Sequence, residues 1–135
     1  MNTIWMVKIV DFGLAKTSNL RSCLQTEEGG TAKGTLRYIA PGILLEKEPF
    51  AKGSNVWSVG STSLELYTGA SIWSQVKGMF ASTIMKQLFE KKEQPSLKNV
   101  PRFLKVALKM SFDYNANNRI TTVELIDVFQ NVKRD

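Results

Sequence analysis

The sequence predicts a mainly α-helical domain, with one short strand near its start and one long loop behind it. Three features carry this. From about residue 54 apolar side chains recur every three or four positions, the period of a helix. Residues 4–10 form a single short β-branched run. The stretch 14–33 is polar, rich in Ser and Thr, and contains Gly29-Gly30, which is long for a connection inside one domain and therefore expected to be functional.

The strand, Ile-Trp-Met-Val-Lys-Ile-Val over 4–10, stops at the turn signal Asp11-Phe12-Gly13. A lone strand leaves its backbone groups unpaired, so this run is expected to self-associate or to seek a partner strand. After the loop, Ser54 is a plausible N-cap for a helix running from Asn55 to Tyr67. Gly69 suits the left-handed residue that closes it. Residues 78–92 place Met79, Phe80, Ile84, Met85, Leu88 and Phe89 at helical spacing, and Pro95 separates them from the next helix. That helix, around 101–112, sets Phe103, Leu104, Ala107, Leu108 and Met110 on its apolar side. The last opens with Thr121-Thr122-Val123-Glu124, a capping box in which Thr121 and Glu124 satisfy each other's amides. Val123, Ile126, Val128 and Phe129 are its expected buried positions. Four or five helices result, within one domain of 135 residues.

Composition removes several function classes. The chain is 43% hydrophobic and 10% aromatic, as a globular protein is. Its formal charge of +6 is spread evenly, with six basic residues in each of 1–50, 51–100 and 101–135 against five, three and four acidic ones. A nucleic-acid binder concentrates such charge in a stripe or tail. The densest run, Lys86, Lys91, Lys92, Lys98, Arg102, Lys105 and Lys109, reads as solvated helix faces, so no specific nucleic acid is expected. Cys23, alone, allows no internal disulfide and fits a reducing compartment. The absence of histidine rules out a Cys-His pair or a His metal cluster. No leader or membrane-spanning stretch is read, and a cytoplasmic, soluble protein is expected.

Four blocks follow one another at telling distances. Lys8-Ile9-Val10-Asp11-Phe12-Gly13-Leu14-Ala15-Lys16 comes first, then Gly34-Thr35-Leu36-Arg37-Tyr38-Ile39-Ala40-Pro41. Asn55-Val56-Trp57-Ser58-Val59-Gly60 and Arg119-Ile120-Thr121 complete the order. Together they resemble the C-terminal lobe of a eukaryotic-type serine/threonine protein kinase domain, entered just before D-F-G. Segment 69–74, with Trp73-Ser74, is similar to kinases that activate other kinases in stress cascades.

The resemblance implies roles residue by residue. Asp11 would hold Mg²⁺ bridging the phosphates of ATP, with Phe12 packing inward and Gly13 permitting the turn. Residues 11–41 would be the activation segment, with Thr31, Thr26 and Ser22 as candidate phosphorylation sites. Gly34, Thr35, Tyr38 and Pro41 would shape the loop that receives the substrate. Asn55, Trp57, Gly60 and Arg119 would be structural, within a helical region spanning 54–132. Protein substrates or regulators are the implied partners.

The departures matter as much. A kinase needs a Gly-rich loop, a lysine–glutamate pair and the catalytic loop H-R-D-x-x-x-x-N. None is found in these 135 residues. Gly42 stands where the family has the glutamate that meets Arg119, so Arg119 is expected to lack its partner, at about 3–5 kcal/mol if buried. Glu46 would replace it only if the segment shifts by a turn. Asn55 replaces an aspartate, Asn115-Ala116 replaces D-P, and Ser61, Thr62 and Ser63 occupy positions that are mostly apolar in the family. The expectation is a partial kinase domain that binds neither magnesium nor ATP by itself and is catalytically silent alone. The alternatives are a fragment of an active kinase whose upstream half lies elsewhere, and a helical protein-interaction module.

Overall fold

The computed structural model describes residues 36–45, 52–76 and 82–131, and its regular elements there are all helical. They are α1 (Pro41–Leu45), α2 (Lys52–Thr68), α3 (Ser82–Glu90), α4 (Arg102–Ser111), a 3-10 turn (Ala116–Asn118) and α5 (Thr122–Gln130). The mainly helical reading therefore holds. The expected strand at 4–10 and the loop through residue 35 lie outside the described residues.

The buried stripe of α2 makes it the axis of the fold. Val56, Trp57, Gly60, Ser61 and Leu64 turn inward, two adjacent rows at helical spacing. Trp57 is fully buried. Its ring meets Phe89, Phe112 and Tyr114 edge-on, at centroid distances of 5.8, 5.2 and 5.8 Å. Such edge-to-face pairs add about 0.5–1.5 kcal/mol each to the burial itself. α4 crosses α2 antiparallel, because Gly60 lies against Ser111 at one end and Tyr67 against Phe103 at the other. The approach at Gly60 is close: a Cβ there would stand 2.8 Å from the Ser111 Cβ.

Several expectations about α2 change. The helix starts at Lys52, so Ser54 is a buried residue of its first turn and not its cap. Gly53 lies in this first turn, where a Cβ would press within 3.2 Å of Ala116, so a helical backbone without a side chain fits the gap. Ser61 and Ser63, at positions that are mostly apolar in the resembled family, are buried. Their hydroxyls donate back to the carbonyls of Trp57 and Val59, at 2.8 Å each, so neither hydroxyl is left dry. Gly69 closes the helix at φ +67°, as its position predicts.

α3 contributes Met85 and Phe89 to the core and ends in a Schellman turn, Glu93 N–H to Leu88 O and Lys92 N–H to Phe89 O. Lys92 takes the left-handed position, at φ 53°, that usually falls to glycine. α4 buries Leu104, Ala107, Leu108 and Ser111. Phe103 and Met110, expected on that side, are 46% and 41% exposed, because they lie on the adjacent row of the helix. α5 carries the predicted capping box at Thr121 and Glu124. Its buried residue is Leu125, with Val128 and Phe129 half-buried; Val123 and Ile126, expected inside, are 76% and 49% exposed. The face that meets Val56, Ala107 and Ile120 is the 125/128/129 row, so the 123/126 row points away.

Candidate functional site

Residues 36–45 lead from the second sequence block into α1, and their backbone runs beside α2. Isolated, such a short segment has too few internal hydrogen bonds to hold its shape. Here it is fastened from outside. The Ser58 hydroxyl donates to the Tyr38 carbonyl at 2.9 Å and shares its proton with the Ser54 carbonyl at 3.2 Å. Two helical turns further along α2, the Tyr38 hydroxyl donates to Glu65 Oε2 at 2.7 Å. Tyr38 thus bridges about 10 Å of helix between residues seven apart.

Glu65 has a second task. Its Oε1 accepts the Ile72 N–H at 2.9 Å, which ties the turn after α2 to the same carboxylate. That turn returns the contact: Trp73 Nε1 donates to the Arg37 carbonyl at 3.1 Å, and Arg37 Nη1 donates to Ser71 Oγ at 3.0 Å. Below this polar layer Ala40, Ile43, Leu44, Ile72 and Trp73 are buried in the main core. The hydrogen bond to Glu65 raises the Tyr38 pKa above its ordinary value, with desolvation and the Glu65 charge acting in the same direction. The phenol therefore stays a donor through neutral pH. Pro41, predicted in the same loop, is buried at the first position of α1, where its missing N–H costs nothing.

The Arg119 node lies at the opposite end of α2. Arg119 is 7% exposed and is not left unpaired, contrary to expectation. Its Nε donates to the Asp113 carbonyl at 2.8 Å and its Nη1 to the Gly53 carbonyl at 2.9 Å. The guanidinium also lies 5.3 Å from the Trp57 ring centroid. Carbonyl dipoles and an aromatic face are among the groups that stabilise this buried cation. Trp57 and Gly60, read from the sequence as structural, hold the aromatic cluster and the α2–α4 crossing. Asn55 is exposed at the start of α2, beside Val56 and Val59 in a shallow groove against α5.

Asp11, Phe12, Gly13, Ser22, Thr26, Thr31, Gly34 and Thr35 lie outside the described residues, as does Glu46. Among the described residues no group of three acidic, Cys or His side chains could hold a metal ion. No described helix is long and apolar enough to cross a membrane. Sequence reading missed Glu65, Ser58 and Ser71. A signal for Glu65 was present: it is the one acidic residue between Glu48 and Glu90, on the same helix face as Ser58.

The protein kinase domain family matches residues 1–129. Mitogen-activated protein kinase kinase kinase 3 of Arabidopsis thaliana is 36% identical over 78 residues, covering 56% of this chain and 13% of that protein. Serine/threonine-protein kinase SRK2B of the same plant is 32% identical over 117 residues, 85% of this chain and 31% of that protein. Serine/threonine-protein kinase SAPK9 of Oryza sativa subsp. japonica is 32% identical over 121 residues, 88% of this chain and 32% of that protein. The chain thus spans less than a third of the length of these relatives.

Proposed function

The chain belongs to the protein kinase domain family, and from that premise we propose that it supplies the activation segment and helical half of a serine/threonine kinase domain without catalysing phosphoryl transfer alone. The observation that carries this reading is the fastening of residues 36–41 to α2 through Tyr38, Glu65 and Ser58. A segment tied down at both its backbone and its side chain is preorganised to receive an extended peptide, and it costs little ordering entropy on binding. Protein substrates or regulators are the partners this surface serves, and the cytoplasm is the compartment that fits a single cysteine.

Silence follows from chemistry. Phosphoryl transfer needs a base beside the attacking hydroxyl and several ligands around magnesium. No H-R-D triplet occurs in these 135 residues. Asp11 is then one metal ligand without its companions, and Mg-ATP has nothing else from the family pattern to hold it. Thr31, Thr26 and Ser22 remain the proposed phosphorylation sites, acted on by another kinase.

The test is calorimetric and chemical together. The purified chain is expected to show no magnesium-dependent rise in melting temperature with ATP, and no transfer of labelled phosphate to casein. A rise of several degrees that disappears in Asp11→Ala would overturn the proposal.

A further inference from the structure

α4 has a second face that the core does not use. With Leu104, Ala107, Leu108 and Ser111 turned inward, the outward rows hold Phe103, Val106 and Met110 along one line and Arg102, Lys105 and Lys109 along the next. Each row has the i, i+3, i+7 spacing of a helix stripe. The apolar row is 46%, 67% and 41% exposed, so three large apolar side chains face solvent in two turns. Tyr67 of α2 extends it, 45% exposed and edge-on to Phe103 at 6.0 Å. The helix carries no acidic residue, and among the described residues the side chains of the basic row make no hydrogen bond or ion pair.

We propose that this face docks an acidic amphipathic helix from a partner protein, its apolar ridge on Phe103, Val106 and Met110 and its carboxylates on Arg102, Lys105 and Lys109. Charge complementarity selects this occupant. A second copy of the chain would bring a net charge of +6 and the same three cations to the contact, which repel. An anionic bilayer would meet the charges but not the shape. Phe103 and Met110 are half sunk beside their neighbours, and α4 cannot roll to insert them while Leu104 and Leu108 anchor it in the core. A helix laid alongside reaches a half-sunk ridge, as helix-in-groove recognition requires. Phe103, braced by Tyr67, is the rigid anchor of the kind that dominates such interfaces.

The full chain is titrated into a fluorescein-labelled synthetic helix with leucines at i, i+3 and i+7 and glutamates on both flanks, followed by anisotropy. The control peptide has the same leucines and lysine flanks. The glutamate peptide is expected to bind at least tenfold more tightly than the lysine peptide, and the difference to shrink with salt. Val106→Asp is expected to weaken binding about tenfold or more, since Val106 is the most exposed of the row and a charge there faces the ridge. Lys105→Glu with Lys109→Glu is expected to invert the preference between the two peptides. Val123→Asp, an equally exposed apolar site on α5, is expected to leave binding unchanged, and circular dichroism verifies that each variant is folded. Equal binding of the two peptides, no effect of Val106→Asp, or a loss at Val123→Asp as large as at Val106→Asp overturns the proposal. So does binding to phosphatidylserine vesicles with none to the glutamate peptide.

Discussion

Arg119 and Tyr38 each convert an exposed-looking polar residue into a structural tie, by different physics. The Arg119 fork reaches two backbone carbonyls from separate elements and covers the Trp57 ring, so planarity and permanent charge are both used. Arg119→Met keeps the bulk but leaves the Asp113 and Gly53 carbonyls without this donor. It is expected to lower stability by about 2–4 kcal/mol, measured by urea unfolding with tryptophan fluorescence. Arg119→Lys should recover less than half, since an ammonium cannot fork or stack; full recovery would mean that charge alone matters. Tyr38 makes a pH-dependent tie. Its folded pKa is raised, so the neutral phenol is favoured in the fold and the unfolded chain loses its proton first. The tie's contribution is complete below the ordinary tyrosine value of about 10 and is lost as pH rises through the folded pKa. The stability difference between the wild-type chain and Tyr38→Phe is therefore expected to be flat from neutral pH to about 10, then to shrink above it. A difference that grows with alkalinity would refute the assignment.

Helix pairing depends on where small residues fall. The α2–α4 crossing closes at Gly60 and Ser111, where a Cβ on Gly60 would sit inside contact distance of the Ser111 Cβ. Gly60→Ala gains helix propensity of about 1 kcal/mol but must push α4 away, at a typical cost of 1–3 kcal/mol. A net fall in melting temperature is expected, and adding Ser111→Gly should restore most of it. Additive effects in that double mutant would mean that the two positions do not share a contact. The same contrast between local and distant causes decides what the sequence revealed. The Thr121 cap and the Gly69 stop were legible because each is settled within one turn. The four blocks were legible as a family order, and they brought Tyr38, Trp57, Gly60 and Arg119 to attention. The start of α2, the outward turn of Phe103, Met110, Val123 and Ile126, and the acceptors of Arg119 were not. Each depends on which row of one helix a second helix covers, and periodicity alone does not say which. Glu65 escaped because its two partners, Tyr38 and Ile72, lie 27 residues before it and seven after.

At the scale of the molecule the apolar interior divides in two. The larger cluster gathers residues of α1, α2, α3 and α4 around Trp57, Phe89 and Phe112. The smaller holds Val56, Ala107, Ile120 and Leu125, with Val128 and Phe129 at its edge. α5 buries only Leu125 in this second cluster, while Val128 and Phe129 touch both clusters from their half-buried positions and Val123 and Ile126 stay exposed. Its capping box is on the surface, where Thr121 backbone and side-chain hydrogen bonds hold the Glu124 pKa below its ordinary value. A helix attached by so few buried contacts has less to lose on opening than α2, whose Trp57 and Leu64 are locked between layers. The amides of α5 are therefore expected to exchange with deuterium by local opening, faster than those of α2 and α4 and insensitive to low urea. Thr121→Ala removes the cap and should speed α5 exchange roughly fivefold, the equivalent of about 1 kcal/mol, while α2 is unaffected. If α5 and α2 instead exchange at one rate with one urea dependence, the two clusters unfold together, and the division of the interior has no energetic meaning.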